Sequence, residues 1–195
     1  MTPDVLQRVE QFVKPLYAGL DGVQTFDRVE RLRRRVAGLR EGLEVDGDLL
    51  ELLLLFHGAV DRLGSLAPGG RLDLFLRDLG LPDALARRLR AGLGRIGEDP
   101  KGPEEELLHD AQLLESAGVA AAAERLMALG KKRTPLAKAL AQLDPGPPAE
   151  RYRTARGAEL GAARRREAEA WITDLRSRIA TEDQLIGIRP SKPSS

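Results

Sequence analysis

Residues 49–56, LLELLLLF, constrain this chain more than any other segment, since seven of the eight are large and apolar and the other is Glu51. A membrane span needs about 20 apolar residues in a row, so a run this short belongs inside a protein. It lies in a helical stretch that starts near Asp46 or Asp48 and runs to about Leu63. A helix apolar nearly all round can be stable only where other elements cover it on every side. The remainder of the chain must therefore supply that cover.

The flanking segments have the pattern to do so. Thr2-Pro3 is a cap followed by proline at the first helical position, and Val5, Leu6, Val9, Phe12, Val13 and Leu16 follow at helical spacing. Pro15 is expected to kink or end that helix early. Phe26, Val29, Leu32, Val36 and Leu39 line one face of a second helix, from about Thr25 to Glu41, which Gly42 stops. Gly69-Gly70 precedes a short helix from Arg71 to Leu79 that Gly80 ends, and Pro82-Asp83 opens the next. GEDPKGP (97–103) reads as a loop. Glu104, Glu105 and Glu106 place negative charge in the first turn of a helix running to about Ala117, where the dipole favours it. Gly118 punctuates the chain, an alanine-rich helix follows to Leu129, and Gly130 is its cap. Thr134-Pro135 opens another, to Leu143, and DPGPP (144–148) is a rigid connector. A long helix from Ala149 to about Asp183 is expected to pack through Tyr152, Leu160, Trp171, Ile172, Leu175 and Ile179. No alternating β-branched run and no repeat of about 20 to 50 residues interrupts this pattern. The expectation is an all-α chain: one irregular helical bundle over residues 1–183 with a loose tail at 184–195.

Composition narrows the function classes. The 195 residues carry 31 Lys and Arg against 30 Asp and Glu, a formal net charge of +1. Such a balance makes no general field for nucleic acid or an anionic membrane. With no cysteine, disulfides, zinc-thiolate sites and thiol nucleophiles are excluded. MTPDVLQRVEQF lacks the basic and apolar stretches of a signal peptide, and the expected location is cytoplasmic. Three basic clusters stand out: Arg31, Arg33, Arg34 and Arg35; Lys131, Lys132 and Arg133; Arg164, Arg165 and Arg166. They lie in helices or at helix ends and read as solvated faces. Aromatic content of 4% leaves few platforms for stacking single strands, so nucleic-acid binding is the least favoured class. No phosphate-binding glycine loop, nucleophile elbow, HExxH pair or EF-hand loop is present. Asp46 and Asp48 form an acidic turn that suits a helix cap.

Only two histidines exist, His57 in LLLLFHGAVDRLG and His109 in EEELLHDAQLLESAG. As residues alone, His57 reads either as a ligand or as a core-edge histidine with a backbone partner, and His109 as a solvent-facing helix residue. In context, EEELLHDAQLLESAGVAAAAERL resembles a segment of the HD-domain metal-dependent phosphohydrolases. There Asp110 matches the family's last metal-binding aspartate, with Leu114, Glu115, Ala117 and Gly118 in step. LLELLLLFHGAVDRLG looks like the buried helix that ends in the His-Asp doublet: His57 matches the histidine and Gly58 replaces the aspartate. In FDRVERLRRRVAGL, Arg28 takes the place of the first histidine. RYRTARGAELGAARRREAEAWITDLRSRI resembles the closing helix pair. The resemblance spans roughly residues 5–183.

That resemblance implies a degenerate site. The family holds one or two divalent cations with two histidines and two aspartates, to activate water and polarise a phosphoryl group. Gly58 offers no ligand, and Arg28 puts a permanent cation where an imidazole would give a lone pair. His57 and Asp110 remain as a relic or weak site for Mn, Mg or Ni, and otherwise no cofactor is expected. The implied function is a non-catalytic HD-like domain that binds a nucleotide, another phosphorylated metabolite, a protein partner or a second copy of itself. Arg28 and Arg31 are the phosphate-binding candidates. Alternatively, Arg28 forms an internal ion pair with Asp110 or Asp61. The competing function is a metal-dependent phosphohydrolase acting on a nucleotide or phosphate ester through an atypical site, with His109 joining His57, Asp110 and a later aspartate such as Asp174 as ligands.

Overall fold

The structure, a computed structural model, describes residues 1–18 and 26–185. Among these residues every regular element is helical: α1 (Pro3–Tyr17), α2 (Phe26–Leu39), α3 (Gly47–Phe56), a 3₁₀ turn (His57–Ala59), α4 (Val60–Leu63), α5 (Arg71–Asp78), α6 (Asp83–Leu93), α7 (Pro103–Glu115), α8 (Val119–Lys131), α9 (Leu136–Ala141), a 3₁₀ turn (Ala149–Arg151) and α10 (Ala155–Leu185). None of these helices is long and apolar enough to cross a membrane. The described residues fall into two compact units, one within 1–112 with 153–157, the other within 113–152 with 158–185. Thr25 and most of the expected tail lie outside the described residues.

In the first unit α3 takes the central place that its composition requires. Leu49, Leu50, Leu52 to Leu55 and Phe56 are all buried, against α1, α2 and α6. Val9, Val13 and Leu16 of α1 and Val29, Leu32, Val36 and Leu39 of α2 present their expected faces to this core. Burial of each such side chain is worth about 1.5–3 kcal/mol, so a helix of weak internal amphipathicity is fixed by its surroundings. Glu51, the charge inside the apolar run of α3, pairs with Arg33, whose Nε donates to it over 2.8 Å, and Arg33 also reaches Glu10 at 3.1 Å. These acids hold the Arg33 guanidinium above its ordinary pKa. Asp46 caps α3, its Oδ1 accepting from the amides of Asp48 and Leu49 at 3.1 Å. Glu104 in turn accepts the Asp46 amide at 2.7 Å.

The second unit has a smaller core of Ala122, Leu140, Leu143 and Ile172, with Leu126, Trp171, Leu175 and Ile179 packed around it. Its helix α8 runs through Gly130 and one residue beyond. The left-handed position that ends it falls on Arg133, at φ 56°. Tyr152 packs against Gly161, where any Cβ would collide with its ring.

Two predicted helices are broken in the structure. The expected helix from Asp46 or Asp48 to Leu63 loses its α geometry at His57, and the expected final helix starts at Ala155 rather than Ala149. Both breaks occur at residues of the candidate site.

Candidate functional site

Asp110 sits on α7 with 0% of its surface exposed. Its Oδ1 accepts the Arg153 amide at 2.8 Å and faces His109 Nδ1 at 3.2 Å. Its Oδ2 accepts the Thr154 amide at 2.8 Å and the Thr154 hydroxyl at 2.7 Å. Thr154 is the residue before α10, and its Oγ1 accepts the Gly157 amide at 3.0 Å. This is the bond by which an N-cap satisfies the third amide of a helix. The buried carboxylate thus fixes the N-terminus of α10 through a relay: Gly157 N–H to Thr154 oxygen, and Thr154 O–H to Asp110. The positive end of the helix dipole favours a carboxylate there. Residues 152–154 leave helical geometry so that two consecutive amides can turn toward one carboxylate.

The second break has its cause in Tyr17, on α1. Its hydroxyl donates to the Leu55 carbonyl at 2.9 Å and accepts the Gly58 amide at 3.1 Å. His57 Nδ1 meets the Leu54 carbonyl at 2.7 Å, so that nitrogen carries the proton. The carbonyls of Leu54 and Leu55, which a continuing α-helix would pair with the amides of Gly58 and Ala59, are thus occupied by side chains. A side chain inserted into the ladder is a standard cause of helix distortion, and α3 tightens into a 3₁₀ turn at this point.

Tyr17 also explains Gly58. A Cβ at that position would lie 2.8 Å from Tyr17 Cε1 and 2.9 Å from its hydroxyl oxygen. The space a side chain at 58 would use is filled by a phenol. Burial pushes the Tyr17 hydroxyl up to about 12, while the Gly58 amide and the nearby Arg28 charge act in the opposite direction. An acid whose folded pKa is raised loses stability as pH climbs from its unfolded pKa, about 10, toward its folded one. Between roughly pH 9 and 11.5 the wild-type chain should therefore lose about 2 kcal/mol that Tyr17→Phe does not lose. Urea unfolding of both proteins at the two pH values measures this.

The other candidates are placed as follows. Arg28 and Arg31 are half-buried, one turn apart on α2. Arg28 is near enough to Tyr17 for its charge to act on the hydroxyl. His57 is buried and is not hydrogen-bonded to Asp110. His109 lines a small cleft with Arg95, Glu105 and Gln112, whose interior of about 20 Å³ corresponds to about one water. Arg95 is engaged there by Glu105, with one bond of 3.0 Å. Asp174 is on the surface of α10 and pairs with Arg178 at 2.8 Å.

A metal requires several free lone pairs converging on one point. Among the described residues no group of three or more His, Asp or Glu side chains could hold an ion, and both oxygens of Asp110 are engaged by N–H and O–H donors.

Helix order and geometry define the class of fold. The chain superimposes on a crystal structure of an HD-superfamily hydrolase from Bacillus thuringiensis with a TM-score of 0.68, over 91% of this chain and 97% of that one, at 16% sequence identity. It shares the all-helical fold of that protein. No family model matches its sequence, and no curated protein matches it.

Proposed function

We propose that this chain is an HD-fold protein that acts by binding and not by hydrolysis. The observation that carries this reading is the commitment of Asp110. In the alignment suggested by the sequence it is the family's last metal aspartate, and here it anchors the first turn of α10. Two further replacements point the same way, Arg28 in place of a histidine and Gly58 in place of the doublet aspartate, with Tyr17 filling the room beside Gly58. The ligand classes that suit such a module are a phosphorylated small molecule, met by Arg28 and Arg31, and a protein partner.

The test is elemental analysis of the purified protein, followed by a screen with p-nitrophenyl phosphate and nucleotides in Mn²⁺, Mg²⁺ or Ni²⁺. The expected outcome is substoichiometric metal and no turnover, with nucleotides acting, if at all, by raising the melting temperature, as ligands selective for the folded state do. Stoichiometric metal, or turnover abolished by Asp110→Asn in a protein that still folds, would overturn the proposal. One observation favours hydrolysis through an atypical site: His109, held by a buried carboxylate, borders a water-sized space. That reading requires metal-dependent turnover that His109→Gln and chelators both abolish.

A further inference from the structure

Residues 125–143, RLMALGKKRTPLAKALAQL, contain five cations and no acid, in a chain whose net charge is only +1. Arg125 is used internally, donating to the carbonyls of Asp144 and Ser116 at 2.6 Å. The other four, Lys131, Lys132, Arg133 and Lys138, are exposed. In the other two basic clusters Arg34 and Arg166 are likewise exposed, while several neighbours are engaged internally. Arg33 is tied to Glu51 and Glu10, Arg164 to the Leu114 carbonyl, and Arg165 to Glu169.

The same segment forms one wall of an apolar groove. Leu136, Ala137, Leu140 and Ala141 of α9 face Ile179 and Ala180 of α10 across about 630 Å³. Arg176 closes one side and donates to the Leu140 carbonyl at 2.7 Å. Leu136 is 52% exposed and Met127, on the adjoining α8, is 61% exposed. An apolar trough with small residues in its walls, bordered by unneutralised cations, has the features that accept the apolar face of a helix.

We infer that this groove binds an acidic amphipathic helix of a partner protein. The apolar face of that helix would pack on Leu136, Leu140 and Ile179, and its carboxylates would lie against Lys131, Lys132, Arg133 and Lys138. Charge complementarity selects this occupant and speeds its arrival. A membrane takes up convex apolar faces, whereas this one is concave. Single-stranded nucleic acid needs aromatic platforms, and the groove has none. The inference does not depend on whether the HD-type site holds metal, because every residue involved lies in the second unit.

Trp171, the one tryptophan, packs against the core that includes Leu140 and reports on the groove by its fluorescence. The test titrates the full chain with a fluorescein-labelled synthetic helix of leucine and glutamate at amphipathic spacing. Its scrambled isomer, phosphatidylserine vesicles and oligo-dT serve as comparisons. Saturable binding of the amphipathic peptide is expected, weakened at least tenfold by Leu136→Glu and by Lys138→Glu, and reduced by salt. Both substitutions fall on exposed positions, so loss of folding does not confuse the result, and circular dichroism verifies this. Failure to saturate, equal binding of the scrambled peptide, or preference for vesicles or oligo-dT would overturn the inference. So would a dimer of the chain that Leu136→Glu dissociates.

Discussion

Replacing Asp110 by alanine should cost about 4 kcal/mol of folding free energy, read from urea unfolding. The Arg153 amide, the Thr154 amide and the Thr154 hydroxyl all lose their acceptor at once. Each bond to a buried charge contributes about 1.5–3 kcal/mol, and partial entry of water offsets part of the sum. Domains of this size are stable by only about 5–15 kcal/mol, so the variant should unfold at markedly lower urea. Asp110→Asn should recover less than half of the loss, because its amide end presents N–H groups to other N–H donors. A carboxylate kept to hold a metal behaves in the opposite way. Its removal from metal-free protein relieves an uncompensated charge and is neutral or stabilising.

Gly157→Ala should be destabilising by about 2 kcal/mol or more, against the usual preference of helices for alanine. The added Cβ would fall on Asp110 Oδ2, 2.8 Å from its Cγ and 2.9 Å from Thr154 Oγ1. Relief requires either the carboxylate or the start of α10 to move, and that breaks the relay. Gly130→Ala provides the contrast, since Gly130 lies within α8 and a Cβ there meets nothing within 4 Å. That substitution should stabilise by about 0.5–1 kcal/mol. Opposite signs for two Gly→Ala changes in helices, measured under the same conditions, are specific to this geometry.

Most helices were legible in the sequence because their apolar faces and caps are local. Thr2 and Asp46 cap helices where their side-chain chemistry places them and Pro82 precedes a third, and the mostly apolar α3 announced its central position. The two helix breaks were not legible, because each depends on a partner distant in sequence. Tyr17 interrupts α3 from 38 residues away, and Asp110 interrupts the run before α10 from 43 residues away. A helical period continues through both places, so pattern alone extends the helix. One local signal was available: Thr154, followed at the third helical position by Gly157, is a capping threonine with a residue that leaves room behind it. The residues aligned with the HD motifs identified where to look, Asp110 and Gly58 above all. Tyr17 carried no motif, and its importance emerged only from what a side chain at Gly58 would strike.

The most direct test is an amide NMR titration with Mn²⁺, whose unpaired electrons broaden signals near its binding site. If Asp110 serves α10, the Arg153 and Thr154 amides keep their intensity at equimolar Mn²⁺ and remain protected from exchange. Selective loss of those two signals at substoichiometric Mn²⁺ would show that the carboxylate coordinates metal, and would contradict the account.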